Sequence, residues 1–456
     1  AVGTPVYVYS RATLERHARV FREGLAGVAR KHIAFAVKSN PNLAVLRLLA
    51  KEGFGADVVS GGELERALAA GMAAQDIVFS GVGKTAAEMR RGLEAGIGQF
   101  NLESEEEGVE LAAIAAAMGL TARAALRVNP DVDAGTHGKI STGKAENKFG
   151  VPYDRAGAIY ARLAALPGIE MRGLAVHIGS QLASLDPLEA AFARMGDLMR
   201  AIRASGHAVT HMDLGGGVGV PYKAGDVFPS PEAYAQMVAR VTQDWDATLM
   251  FEPGRVIAGN SGVLITRVVR VKPGVACPFV VVDAAMNDLA RPALYDAWHD
   301  FVAVQPGGGR MMAHIVRPTC ENSHTLPPGG DIAQRAGRAA RARAPGSGRC
   351  SAQTAAIVCA AAAGTSPQSA WAAASAASKR SIAPISASSV NGAATDGHRS
   401  QSRSPPERSV MGVQSNQSTR ARPPLGAGAP YNLACACAPH RVSAHCRHRP
   451  PRAPVA

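Results

Sequence analysis

Eight short apolar runs, each followed by a segment of helical character, constrain this chain more than any other feature. The runs are 33–37, 56–59, 76–80, 99–102, 122–128, 171–177, 209–214 and 248–252. They are rich in Val, Ile, Leu and Ala, as strands covered on both faces are. Amphipathic segments lie between them, among them 61–71, 85–95, 104–118, 187–204 and 230–244. Ser104 with Glu107 fits a capping box, and Ser60 or Gly61 fits the start of the second helix. Eight strand–helix units within ~220 residues match an α/β fold of the (β/α)8 TIM-barrel type. A doubly wound open sheet has the same alternation, and pattern alone leaves both open. After Pro253 the texture changes, and 256–271 and 279–283 read as strands without helices between them. The expected division is an N-terminal segment 1–30, a barrel 31–255, an incomplete β-rich domain 256–334 and an irregular tail 335–456.

Charge follows the same division. The formal net charge is +13, but 16 of the 49 Lys and Arg and only two acids, Asp396 and Glu407, lie beyond residue 334. The first 334 residues therefore carry a net charge of −1, and the high pI says nothing about what the folded part binds. A nucleic-acid partner is not expected. The tail is dominated by Ala, Arg, Ser and Pro without a sustained period, a composition that buries little core. A natural basic extension and out-of-frame translation of a GC-rich gene both fit it, the second better. Only Cys277 and Cys320 fall in the first 334 residues, which suits a reducing cytoplasm rather than a disulfide framework. No run of 18 apolar residues is present, so no membrane span is expected. The chain opens on Ala-Val-Gly-Thr-Pro, without an initiator Met, as though its start lay upstream.

Chemistry-bearing residues cluster at the ends of the apolar runs. Lys38 follows the first, at the end where barrels build their sites. A lysine desolvated there has its pKa lowered and forms Schiff bases with aldehydes; a surface lysine is the bland alternative. Gly215, Gly216 and Gly217 follow the seventh run, where backbone N–H groups can converge on a phosphate. The spacing is not the dinucleotide pattern G-x-G-x-x-G. Glu252-Pro253-Gly254-Arg255 ends the eighth run, with a carboxylate suited to a pyridine nitrogen and a guanidinium suited to a carboxylate. His177-Ile178-Gly179-Ser180-Gln181 ends the sixth, where an imidazole could stack on a flat ring. No set of His, Cys, Asp and Glu has metal-ligand spacing.

Together these phrases resemble the diaminopimelate decarboxylases, within the alanine-racemase-like group of pyridoxal 5′-phosphate enzymes. The matching segments, in order, include TPVYVYS (4–10), FAVKSNPNLAVL (35–46), GADVVSGGEL (55–64), RVNPDVDAGTHGKISTG (127–143), HIGSQ (177–181), DLGGGVG (213–219), FEPGR (251–255), VVDAAMNDLARPALYDAWH (281–299) and CE (320–321). The resemblance implies a barrel that binds the cofactor and a β-domain that takes in the first strand. It implies that Lys38 forms the internal aldimine and that His177 stacks on the ring. Ser180, Gly215, Gly216, Gly217, Gly254 and Arg255 would hold the cofactor, with Glu252 facing the pyridine nitrogen. Arg255, Arg291 and Tyr295 would bind the substrate's far end. Cys320, as proton donor, and Glu321, on the distal ammonium, would enter from the partner subunit of a homodimer. The implied reaction is decarboxylation of meso-diaminopimelate to L-lysine, the last step of lysine biosynthesis. Decarboxylases of ornithine, arginine or carboxynorspermidine, and a cofactor-binding product without turnover, are the alternatives.

The chain departs from the family after Glu321. His324 stands where a carboxylate is expected, and no Gly-Ala-Tyr segment follows. The only tyrosine after Tyr295 is Tyr431, deep in the tail. The departure implies reduced turnover.

Overall fold

A computed structural model of the chain describes residues 2–133, 148–223, 225–275, 277–295, 297–304, 310–316, 330–333 and 356–360. All of them belong to one compact unit, Ala1–Pro384; a second unit, Ile385–Ala456, lies outside the described residues. The first strand, β1 (Val6–Tyr9), is followed by β2 (Lys31–Ala36), β3 (Gly55–Val58), β4 (Ile77–Phe79), β5 (Gln99–Leu102) and β6 (Ala122–Asn129). Then come the two-residue β7 (Val151–Pro152), β8 (Ile169–Ala175), β9 (His211–Asp213) and β10 (Thr248–Phe251). Strands β2, β3, β4, β5, β6, β8, β9 and β10 pair in parallel in that order, and β10 pairs with β2 to close the barrel. The closed ring resolves the choice between barrel and open sheet.

The strands hold two kinds of side chain because successive residues point to opposite faces. Ile33, Phe35, Ala56, Val58, Ile77, Phe79, Phe100, Leu102, Leu126, Met212, Leu249 and Phe251 point outward and join the core beneath the helices. Ala34, Val78 and Met250 point inward and form a separate small cluster in the barrel. The same inward phase carries Asp57, Gln99, Asn101, Arg127 and Asp213, all buried. Apolar packing thus holds the outside of the barrel, and its interior becomes polar toward the carboxyl end of the strands.

Helices Gly61–Ala69, Ala86–Ala95, Glu105–Ala117, Asp186–Ala204 and Pro231–Val241 occupy the amphipathic segments read from the sequence. Ser60 caps the first of these by accepting from Glu63 N–H at 3.3 Å. Ser104 likewise accepts from Glu107 N–H, at 3.2 Å. Its box is incomplete, however: the Glu107 carboxylate pairs with Lys84 and with Glu103 N–H. The reciprocal box lies instead at Thr85 and Glu88. Of the N-terminal segment, helix Arg11–Gly24 packs on the barrel, where Phe21 meets Tyr234 and Phe251 ring to ring.

The second sheet contains β1, β11 (Gly262–Lys272), β12 (Phe279–Val282), β13 (Asp300–Ala303), β14 (Arg310–Val316), β15 (Gly330–Ala333) and β16 (Ala356–Ala360). β1 runs antiparallel to β11, with Val6 opposite Ile265. Two differences from the sequence reading stand out. The strand expected from residue 256 begins at 262. Residues Arg255–Ala258 instead form one helical turn, because Gly254 C=O accepts from both Ile257 and Ala258 N–H. One strand, β16, falls in the segment read as irregular.

Candidate active site

The polar end of the barrel opens into a cavity of about 820 Å3 whose walls include Lys38, His177, Gly216, Glu252, Arg255 and Arg291. A second lobe of about 420 Å3 shares Lys38, His177 and Glu252 and reaches Arg127 and Phe149. Lys38, His177, Gly216, Glu252 and Arg255 sit where barrel strands run out, while Arg291 comes from a short helix after β12; the inward phase of the strands sets the direction of Lys38, His177 and Glu252. Ala34 and Ala36 precede Lys38, Gly173 and Ala175 precede His177, and Met250 precedes Glu252, all at steps of two.

Two loops are fastened side by side over the seventh and sixth strands. Leu182 N–H donates to Gly217 C=O at 3.0 Å, and Gly219 N–H to Leu182 C=O at 3.1 Å. The Gln181 amide donates to Val220 C=O at 2.6 Å and accepts from its N–H at 3.2 Å. Gln181 holds φ of 63°, a left-handed conformation rarely adopted by residues other than glycine. The glycines are required by proximity. A Cβ on Gly215 would lie 2.4 Å from Val176 O, one on Gly216 2.3 Å from Glu252 O, and one on Gly217 2.7 Å from Gly179 O.

Lys38 Nζ lies 3.2 Å from Asp57 Oδ2. Its side chain is 50% exposed to the cavity, whereas the Asp57 side chain is 0% exposed. The lysine pKa is raised, contrary to the lowering expected from desolvation. The charge of Asp57 outweighs burial, and Glu252 adds to it. His177 shifts the other way: burial, then Arg127 and Lys38, hold it well below the ordinary histidine value. Its Nδ1 accepts from Gly216 N–H at 3.2 Å, so the neutral ring carries its proton on Nε2.

Glu252 and Asp213 share the barrel interior with Asn101. Asn101 Nδ2 donates to Asp213 Oδ2 at 2.7 Å and lies 3.4 Å from Glu252 Oε1. Burial raises the Glu252 pKa well above the usual carboxylate range, and the charges of Asp213 and Asp57 add to the rise. Two carboxylates this close hold one proton between them, and Glu252 is the member that keeps it. Asp213 Oδ1 also accepts from Gly215 N–H at 2.9 Å and shapes the glycine turn.

In the part of the cavity that the second lobe does not share, two guanidiniums meet. Arg255 donates from Nε and Nη2 to Ser180 Oγ, at 3.2 and 3.1 Å, and from Nη1 to the Tyr222 hydroxyl. Arg291 Nη1 donates to the same hydroxyl at 3.1 Å. Tyr295 lines this part and is 38% exposed. The structure therefore places Lys38, His177, Ser180, the three glycines, Glu252, Gly254, Arg255, Arg291 and Tyr295 around one cavity. Cys320, Glu321 and most of segment 127–143 lie outside the described residues. Sequence reasoning missed Asp57, Asn101 and Tyr222. For the first two a signal was present: polar residues at the inward phase of short buried strands, Asp57 in β3 and Asn101 with Gln99 in β5. Among the described residues no group of His, Cys, Asp and Glu could hold a metal ion. No helix among them is long and apolar enough to cross a membrane.

Comparison with known proteins agrees with this geometry. Residues 11–259 match the family model described as the pyridoxal-dependent decarboxylase, pyridoxal binding domain. The chain is 52% identical over 322 residues to the diaminopimelate decarboxylase of Zymomonas mobilis subsp. mobilis, a match covering 70% of this chain and 76% of that protein. It is 46% identical over 346 residues to that of Vibrio cholerae, covering 75% and 82%. Among solved structures it is similar to Helicobacter pylori diaminopimelate decarboxylase complexed with L-lysine. The TM-score is 0.71 at 35% identity, covering 78% of this chain and 86% of that one. A cavity lined by a lysine and by paired arginines, on a closed barrel with these relatives, places the chain in the diaminopimelate decarboxylase family of pyridoxal-dependent decarboxylases.

Proposed function

We propose that this protein converts meso-2,6-diaminopimelate to L-lysine and CO2, using pyridoxal 5′-phosphate. The supporting observation is that one cavity is lined by Lys38, which pairs with Asp57, and by Arg255 and Arg291, which converge on one hydroxyl. The residues present fit the cofactor. Three glycines stand where any Cβ would strike backbone, and Ser180 and Arg255 bring a hydroxyl and a cation beside them. Asp57 Oδ1 is a buried acceptor without a hydrogen-bond partner among the described residues. Lys38 would hold the cofactor through its amine, the glycine turn with Ser180 and the backbone of the Glu252–Arg255 turn would take the phosphate, and His177 would lie on the ring. When bound, the cofactor supplies an electron sink for the pair released from the breaking bond to carboxylate.

The chain's own groups set the conditions for that chemistry. Glu252 holds a proton at the site suited to the ring nitrogen, kept there by Asp213. Neutral His177 offers a flat apolar face without adding positive charge. Asp57 orients the Lys38 amine in the cavity and keeps it charged while it is free. Cys320 would return a proton to carbon and Glu321 would bind the distal ammonium, both supplied across a homodimer. This assignment suits a cytoplasmic enzyme acting on a free amino acid.

CO2 release from meso-diaminopimelate, compared with ornithine and arginine, tests the reading. Release from the first alone, lost in Lys38→Ala, supports it; preference for ornithine or arginine refutes it. Mixing Lys38→Ala with Cys320→Ala chains tests the shared site, because one wild-type site forms only if the two subunits exchange residues. The absence of a Gly-Ala-Tyr segment after residue 334 favours a second reading, in which the cofactor is held but turnover is low. Normal cofactor content with a depressed kcat identifies that case.

A further inference from the structure

We propose that Tyr222 sets recognition of the carboxylate that the substrate keeps. The inference rests on the reaction proposed above, whose stereochemistry defines that carboxylate. The meso compound has one L and one D centre, and L-lysine retains the L centre. The D-end carboxylate therefore leaves, and the L-end carboxylate passes unchanged into the product. It must be bound at the end of the cavity away from Lys38.

Tyr222 stands between the two cations of the cavity, Arg255 and Arg291, that suit this carboxylate. Its hydroxyl accepts from Nη1 of Arg255 and Nη1 of Arg291. The two guanidinium carbons lie 5.8 and 5.0 Å from its ring centroid, within cation–π range. Two like charges are thus drawn to one neutral oxygen. Among the described residues the polar side-chain partners of these guanidiniums are hydroxyls alone, those of Ser180 and Tyr222. A carboxylate in Tyr222's place would satisfy the arginines and cancel the charge that a substrate needs. A phenol orients them and leaves the charge available.

Tyr222 is itself held. Its N–H donates to Asp226 Oδ2 at 2.9 Å, and Lys223 N–H to the same oxygen at 3.1 Å, so the loop folds on one carboxylate. The ring of His299 packs against it with centroids 6.3 Å apart. His299 is buried, and burial together with the charge of Arg291 pushes its pKa down to about 4. It adds no third cation near the arginines at neutral pH. Tyr222 is accordingly a positioning residue that acts through Arg255 and Arg291.

The test is Tyr222→Phe in the full chain loaded with pyridoxal 5′-phosphate. Dissociation constants are measured for L-lysine and for 1,5-diaminopentane, which is lysine without its carboxylate. Wild type should prefer L-lysine. The variant should bind L-lysine about 10-fold more weakly, the scale of one lost hydrogen bond to a charged group. Affinity for 1,5-diaminopentane and cofactor content should hold within about twofold, and KM for meso-diaminopimelate should rise while kcat stays. If wild type discriminates and the variant binds L-lysine equally well, the role of Tyr222 is refuted while the reaction stands. If the variant loses both ligands or the cofactor, Tyr222 is merely structural and the proposal fails. If wild type binds the two ligands alike, the reading of the far end fails, and Tyr222's role fails with it.

Discussion

Replacing Gly216 by alanine isolates one collision. The φ of Gly216 is not in the left-handed region, unlike those of Gly215 and Gly217, so alanine brings no backbone strain of its own. Its Cβ, however, would sit 2.3 Å from Glu252 O and 3.2 Å from Glu252 C. Carbon and oxygen need roughly 3.3 Å, so the glycine turn must move about 1 Å from the end of β10. That movement is opposed on three sides. Glu252 N–H donates to Gly215 C=O at 2.8 Å, Leu214 N–H to Met250 C=O at 2.9 Å, and Gly216 N–H to His177 Nδ1 at 3.2 Å. Overpacking of this kind costs about 1–3 kcal/mol. If the cofactor-bound form carries all of it, affinity for pyridoxal 5′-phosphate falls ~5- to 150-fold. Cofactor titration followed by absorbance, beside urea unfolding of the same samples, measures both possible destinations of that energy. A variant with cofactor affinity within twofold of wild type and an unchanged urea midpoint would refute the reasoning.

Three further outcomes are expected. Gly157 lies within helix Tyr153–Ala164 with open space around its Cβ position. Gly157→Ala should therefore stabilise the fold by about 0.5–1 kcal/mol, read as a raised urea midpoint. Lys84, with a side chain 0% exposed, pairs with Glu107 and donates to Gly81 and Asn101 carbonyls. Lys84→Ala should cost roughly 3 kcal/mol in the same assay because it strands a buried carboxylate. Glu252 has a folded-state pKa above the ordinary 4.5. Its stabilising contribution is complete below pH 4.5 and is lost as pH rises through the raised value. Glu252→Gln mimics the protonated form at every pH. Without cofactor it should exceed wild type in stability at pH 8 and match it near pH 4; loaded with pyridoxal 5′-phosphate it should release little CO2. Equal stability at pH 8 would count against the buried charge.

The barrel was legible because its strands are packed on both faces, which leaves continuous apolar runs bounded by amphipathic helices. Lys38, His177 and Glu252 were legible because they end such runs. Asp57 and Asn101 were not recognised, since one polar residue in a strand of four, as in β3, or two alternating with apolar ones, as in β5, do little to a hydropathy pattern. Only knowing which face points inward gives it meaning. Tyr222 was hidden for another reason. It lies in a loop with no periodicity, and its role depends on Arg291, 69 positions away in the chain. The raised pKa of Lys38 also depends on a partner from a different strand, so a reading of its neighbours in sequence pointed the wrong way. The helical turn at Arg255–Ala258 escaped because Val256 and Ile257 read as strand, while hydrogen bonds to Gly254 decide otherwise.

The pairing of β1 with β11 has a consequence for synthesis on the ribosome. Val6 meets Ile265, so β1 waits for a partner made 259 residues later. At ordinary elongation rates that interval is roughly 10–50 s. During it the barrel helices and strands can assemble, while Val6–Tyr9 remains an unpaired strand edge at the start of the chain. Nascent chains released before residue 262 would carry that edge permanently, a template for association with other chains. Completion of β11 covers one side of β1, the only pairing that strand makes among the described residues.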